Sequence, residues 1–481
     1  MTFRPAVIAE AVYHEQWDED YEGNPLIEAL DPLPEDLNMF MTGLAHEPAL
    51  PTAEDLKLPS IRRLTKLKRL RDVIFPLPEY KQAGIDLSML LQEGYAARNP
   101  MTDLEARRTT AIANWNINNP LKLPPGWKSS AAGHLFISST GTGKTTFVTA
   151  FLSRIRQVID HNGYKGQDYK QRQVVWIKLS VPPDGTLKAF CLSFFKEVDR
   201  LVGTNYLRQA HAAETVPKMT LLMGRVANAI ALGMLVIDEF QNLRATKSEQ
   251  GVIVLNMFVS LIEDVGIPIV TLATPKVYQL FALKARDSRK LTDSGTTVIP
   301  LMSKRSVQWK AFCETLWKYT YTSTKPALTP AVMDAWYKAS GGNAGFAVTA
   351  FRRAQRQAII HDSELDEHTF EMVLNTDMAV LKPAIDALVS GRSEDIAVFE
   401  DLLTGPQAIA LRAMIAPDID LEPRNADRMP REPVAEPTAD VVEEFDELKE
   451  PPPKKKKREP KASPVIKAAP PLPKRSVNAD L

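Results

Sequence analysis

A chain of 481 residues with 44% hydrophobic side chains is long enough to bury a large core and to form more than one domain. Its 59 basic and 59 acidic side chains cancel, so net charge argues neither for nor against a nucleic-acid partner, and only local clusters speak to that. Cys191 and Cys313 are too few and too far apart for a disulfide framework or a zinc knuckle, the seven histidines show no paired ligand spacing, and the longest apolar run (252–262) falls well short of the ~20 residues that a membrane span needs.

With no signal-like apolar stretch after Met1, the chain reads as a soluble, cytoplasmic protein without a membrane partner. Residues 1–120 are rich in proline and mixed charge, lack strand-like runs, and read as a helical N-terminal region. Within them Ser60 is placed to cap a helix whose apolar positions are Ile61, Leu64, Leu67 and Leu70, with Arg62, Arg63, Lys66, Lys68, Arg69 and Arg71 on its other faces. Those cations form either a solvated surface or a face for DNA phosphates or an acidic partner.

From residue 130 short apolar runs alternate with helical stretches. The runs 134–138, 174–179, 234–237 and 267–273 read as strands, with helices such as 187–201 and 220–231 between them. Fully apolar strands alternating with helices imply an α/β domain with a parallel sheet covered on both faces, residues 121–302. After a last run at 298–301 the chain turns helical, with helices expected at 306–319, 329–340 and 347–361, a small helical domain over 303–385.

Residues 386–481 form a C-terminal extension, expected to be disordered from about 417. Residues 418–450 hold 12 acidic and 4 basic side chains, and residues 451–481 hold 9 basic and 2 acidic. The basic run 454–458 is either a solubilising tail or a docking peptide, and acid followed by base favours docking.

The chemistry lies in two motifs. Ser138-Ser139-Thr140-Gly141-Thr142-Gly143-Lys144-Thr145 follows an apolar strand and opens a helix expected at 146–155, the setting of a phosphate loop. Its glycines let backbone N–H groups turn toward phosphates, and the helix N-terminus, with Thr146, adds a favourable dipole. Lys144 would reach the β and γ phosphates of ATP, and the Thr145 hydroxyl would bind Mg²⁺. Ser138 stands where such loops usually carry their first glycine.

The second motif, Met234-Leu235-Val236-Ile237-Asp238-Glu239, is a buried strand ending in two carboxylates. Asp238 would hold the Mg²⁺ shell and Glu239 would orient and polarise the attacking water. Thr274, at the tip of the next strand, either senses the γ-phosphate or starts the Pro275 turn. Arg286 and Arg289 either reach a neighbouring subunit's nucleotide as an arginine finger or are surface charges.

The segment Ile237-Asp238-Glu239-Phe240-Gln241-Asn242-Leu243 resembles the TnsC/TniB group of AAA+ transposition ATPases. Asn24 to Leu30 and the strand Ile269 to Lys276 resemble the same group, and the likeness covers roughly residues 20–380. It implies a P-loop AAA+ fold with a helical lid, and a bacterial ATPase that regulates insertion by a TnsABCD-type transposon. It further implies a homo-oligomer on double-stranded DNA, a ring or a helical filament with a hexamer or heptamer per turn. The N-terminal region would meet a target-selector protein, the C-terminal tail would meet transposase subunits, and the sheet domain would line the DNA.

Lys188 and Arg208 are the DNA-contact candidates by position, the other reading of each being an exposed helix charge. This group's helical domain often carries a sensor arginine after a Gly-Asn pair. Here Gly341-Gly342-Asn343 is followed by Ala344-Gly345-Phe346, with no arginine before Arg352, which suits a slow switch rather than a motor. The alternatives are a STAND-like signalling or scaffold ATPase, or a helicase-loader-type DNA-processing ATPase.

Overall fold

The computed structural model describes residues 8–16, 18–32, 36–182, 185–213, 215–243, 248–281, 285–324, 326–392, 395–396 and 399, and the acidic and basic blocks of the C-terminal extension lie outside them. The strands are β1 (Ile8–Glu10), β2 (Gly133–Ile137), β3 (Val158–Tyr164), β4 (Gln167–Val174), β5 (Trp176–Ser180), β6 (Met234–Asp238), β7 (Ile269–Ala273) and β8 (Thr296–Val298). Five of them form one parallel sheet in the order β5-β6-β7-β2-β8. Every residue of β2, β6 and β7 is buried, as a sheet covered on both faces demands.

Alternation along the strands splits the core in two. Leu135, Ile137, Leu235 and Ile237 face one layer, with Phe190, Phe194 and Phe258 from the helices Leu187–Val202 and Ser248–Glu263. Phe136, Val236, Val270 and Leu272 face the other, with Phe147 and Phe151 of the helix Lys144–Leu152 and Leu87 and Tyr95 of the helix Glu79–Ala96. The N-terminal residues therefore pack on the sheet as part of its core. Two arginines fix them there. Arg108 is 1% exposed, pairs with Glu105 at 2.6 Å and donates to the carbonyl of Val265 at 2.9 Å. Arg98 donates to the carbonyls of Gly94 and Leu232. Buried guanidinium groups are tolerable because carbonyls and a carboxylate replace lost water.

The helical domain holds Val307–Trp317, Pro330–Lys338, Ala344–His361, Glu367–Asn375 and Lys382–Ser390. Trp336 organises it, stacking on Phe351 at 4.6 Å and on Phe370 at 5.4 Å between ring centroids while its Nε1 donates to the carbonyl of Ala347 at 2.8 Å. Buried Gln355 ties down the preceding chain, accepting from the N–H of Tyr321 and donating to the carbonyl of Tyr319.

Four local expectations change. The run 174–179 breaks at Val175, so that Val174 closes β4 and only Trp176 onward joins the large sheet. A second sheet of order β1-β3-β4 lies where no strand was expected. Its β3-β4 hairpin turns at Lys165 and Gly166, both at positive φ, and its strands are polar enough to escape a search for apolar runs. The stretch 298–301 is strand only to Val298.

The helix expected from Ser60 runs Ser60–Lys66 with Pro59 at its cap, then tightens into a 3-10 turn at Leu67–Arg71. Ile61 is 73% exposed and Arg63 is buried, reversing their expected faces. Arg63 pays for burial with bonds to the carbonyls of Leu58 and Tyr321, which fasten the N-terminal region to the helical domain.

Candidate functional site

The C-terminal ends of β2, β6 and β7 converge on a cavity of about 370 Å³. This is the end at which open parallel sheets hold ligands. After β2 the chain turns through Ser138 and Ser139, both buried, and enters its helix at Lys144, two residues before the expected start. Gly143 takes φ +112°, and a Cβ there would lie 2.5 Å from the Tyr80 hydroxyl, so only glycine fits. Thr142 donates to the carbonyl of Ser139 at 3.0 Å, which with the Ser138 hydroxyl closes the loop where a first glycine is absent. Lys144 Nζ donates to the carbonyls of Ser138 at 2.7 Å and Ser139 at 3.0 Å. Its ammonium thus lies inside the loop, where phosphate oxygens would replace those carbonyls. Thr140, Gly141, Thr145 and Thr146 also line the cavity.

Across from the loop, Asp238 accepts from the Thr145 hydroxyl at 3.2 Å and from the N–H of Glu239 at 3.0 Å. A hydroxyl and a carboxylate side by side fit Mg²⁺, which keeps several waters and needs few protein ligands. Among the described residues no cluster of three or more His, Cys, Asp or Glu forms a full metal cage. Glu239 is held at φ 55°, a left-handed conformation unusual for a side-chain residue. Such strain at the tip of a buried strand is a mark of functional positions.

Three residues join the site without having been singled out for these roles. Lys178, from β5, reaches Asp238 Oδ2 at 3.2 Å and the Thr149 hydroxyl at 3.0 Å. A lysine inside an otherwise apolar run was its signal, because a buried cation needs a partner. Gln241, noted only within the family-like segment, donates to Glu239 Oε2 at 2.7 Å and accepts from the N–H of Thr274 at 3.0 Å. It bridges the carboxylate to the tip of β7. Thr274 is among the residues lining the cavity, and its hydroxyl is buried with no hydrogen-bond partner among the described residues. An orphaned polar atom on a residue of this wall would be satisfied by a γ-phosphate contact.

Asn343 is the third. Its Nδ2 donates to the carbonyl of Thr140 at 2.8 Å, and the N–H of Gly345 donates to the carbonyl of Gly141 at 2.8 Å. The Gly-Gly-Asn turn therefore grips the phosphate loop directly. Gly342 permits this, since a Cβ there would lie 2.0 Å from the Met302 carbonyl oxygen.

The rest of the cavity is mainly apolar, with Arg71 and Thr349 among its lining residues. Leu70, Val73 and Phe75 of the N-terminal region meet Phe312 and Val348 of the helical domain, and Phe75 packs edge-on to Phe312 at 5.7 Å. A flat heteroaromatic base fits such a wall. Beneath it Tyr80 stacks on Phe147 at 4.5 Å, and burial pushes its phenol above its usual range. No sequence motif marked this half.

Four candidates stand away from this cavity. Arg286 and Arg289 are exposed on the helix Ala285–Leu291, Lys188 is exposed at the start of Leu187–Val202, and Arg208 is exposed on Tyr206–Ala212.

Residues 118–291 match the family described as bacterial TniB protein, a span that holds the phosphate loop, both strand-end carboxylates, Gln241 and Thr274. No curated protein matches the chain. Among solved structures it is similar to Cdc6p from Pyrobaculum aerophilum, with 14% identity over 60% of this chain and 64% of that one and a TM-score of 0.38. It is also similar to the RuvB Holliday junction branch migration motor of Thermotoga maritima, with 13% identity over 65% of this chain and 87% of that one and a TM-score of 0.32. The α/β P-loop ATPase fold stands on the strand order and the loop geometry described above. Among the described residues no helix is long and apolar enough to cross a membrane.

Proposed function

Because residues 118–291 match the family described as bacterial TniB protein, we propose that this chain is an ATP-dependent regulator of DNA transposition. In this reading it assembles with ATP and Mg²⁺ on double-stranded DNA and links a target-selecting protein to the transposase. The observation that carries it is the Glu239–Gln241–Thr274 bridge inside the matched segment. In this reading Glu239 polarises the water and Thr274 meets the γ-phosphate, so the bridge would let loss of the phosphate be felt at both strand tips.

ATP would bind with its phosphates on residues 138–146 and its base against Phe75, Phe312 and Val348. Mg²⁺, held by Thr145 and Asp238, would neutralise charge on the phosphates. Glu239, oriented by Gln241, would take the proton of the attacking water. The Asn343 contact ties the helical lid to the loop, so nucleotide state would set lid position, and slow turnover would act as a timer.

DNA contact through Lys188 and Arg208, an arginine finger at Arg286 or Arg289, target-selector binding by the N-terminal region and transposase binding by the tail belong to the same proposal. Electron microscopy of the full chain with duplex DNA and a non-hydrolysable ATP analogue tests it. Rings or filaments that form only with both support the reading. The absence of any nucleotide-dependent oligomer on DNA overturns it.

A further inference from the structure

A second cleft, of about 410 Å³, lies between the 3-10 turn Leu67–Arg71 and the lid helix Ala344–His361. Five of the residues lining it are Lys68, Arg71, Arg352, Arg353 and Arg356, and none is acidic. Among the described residues none of the five forms an ion pair. Two cations of the same helix and turn that do not line the cleft, Lys66 and Arg69, do pair, with Asp55 at 3.0 Å and 3.8 Å.

Elsewhere in this fold a buried guanidinium finds partners. Arg63 has two carbonyls, Arg98 has two although its Nη2 is without a partner, and Arg108 has a carboxylate, a carbonyl and the Asn228 side chain. The cleft departs from that pattern in that, among the described residues, none of its five cationic side chains has a hydrogen-bond partner either. The Arg353 Nε is buried with no hydrogen-bond partner. Arg352 is pushed below its usual range by burial and then by the like charges of Arg71 and Arg353. Five cations around one concavity repel one another, and water compensates poorly the two that are half-buried, Arg352 and Arg353.

We propose that this cleft binds a compact multivalent phosphate anion, the clustered phosphates of a small molecule, and that Arg71 couples it to the nucleotide cavity. Guanidinium forks match phosphate oxygens in pairs, and arginines dominate the set. The cleft has the volume of a small-molecule site and is too small to admit a duplex. Five positive charges in that space call for several negative charges packed closely, which a phosphate cluster supplies. Arg71 lines both cavities, so an anion that draws it into the cleft changes the wall that the nucleotide meets. By linkage the effect is reciprocal. The proposal is independent of any role in transposition.

The test is calorimetric titration of inorganic tripolyphosphate into the full chain, its nucleotide site first saturated with a non-hydrolysable ATP analogue and Mg²⁺. One saturable site per chain is expected. Lys68→Gln with Arg356→Gln should weaken it at least tenfold. Both residues are exposed, so the unfolding midpoint without probe and the analogue affinity should stay unchanged. In the wild type, tripolyphosphate should shift the analogue's Kd severalfold, and in the double variant it should not. No saturable binding, or equal binding by the double variant, overturns the site. Binding as tight by tetraglutamate or by a short duplex at matched ionic strength overturns the phosphate-cluster assignment. An unshifted analogue Kd overturns the coupling.

Discussion

The two walls of the nucleotide cavity differ in how they are assembled. The phosphate wall is a single run, residues 140–146, which offers backbone N–H groups and one ammonium. The apolar wall draws Leu70 and Phe75 from the N-terminal region, Phe312 from the first helix of the lid and Val348 from its third. The phosphate wall holds its shape through local hydrogen bonds, such as those of Thr142 and Lys144. The apolar wall exists only when three distant segments are docked. A nucleotide touching both would therefore tie the N-terminal region and the lid to the sheet.

If the phosphate side alone carries the chemistry, its variants should act on turnover or on all nucleotide binding. The largest effect belongs to Glu239→Gln. Turnover should fall by about 10²–10⁴-fold with nucleotide affinity retained, the range expected for losing a general base. Phosphate release and equilibrium nucleotide binding, measured on the same preparation, check both halves. Undiminished turnover removes Glu239 from the role.

Lys144→Ala comes next. Removing one partner of a charge pair in an enclosed site costs about 2–5 kcal/mol, so ATP affinity should drop by at least about thirtyfold. ADP should weaken too, because the ammonium sits deep in the loop rather than at its mouth. Unchanged affinity in a binding titration would show that the backbone alone holds the phosphates.

Gln241→Ala should be milder. It removes one hydrogen bond to Glu239 and one to Thr274, worth about 1 kcal/mol each, so turnover should fall on the order of tenfold while affinity holds. A loss of affinity instead would place Gln241 in binding rather than in positioning.

The same contrast explains what the sequence could show. Four of the five strands of the large sheet were readable because each lies in an apolar run, whereas β8 is Thr-Thr-Val and shares only Val298 with the run 298–301; the phosphate side of the site was readable because Gly-Thr-Gly-Lys-Thr and Ile-Asp-Glu are contiguous. The β3-β4 hairpin was not, since its strands alternate polar side chains over a small sheet. Arg63 defeated helical periodicity because tertiary carbonyls, invisible in a helical wheel, replaced its water. Lys178 was legible in principle as a charge inside a strand, and Asn343 only as a conspicuous turn. Phe75, Phe312 and Val348 carry no local signal at all, because shape complementarity among remote side chains leaves none.

The smallest expected effect probes that unmarked wall. Val348 is half-buried on the lid helix, so Val348→Ala leaves a good helix former in place and spares the fold. Trimming it removes about 1 kcal/mol of apolar contact with the base, roughly a fivefold loss in affinity. Such contact is the same in ground and transition states, so ATP and ADP should weaken equally and turnover at saturating ATP should not change. Isothermal titration with both nucleotides and a turnover curve carried to saturation read this out. A fall in saturated turnover would mean that the lid's apolar wall also sets the geometry around Glu239, and the division between the two walls would then fail.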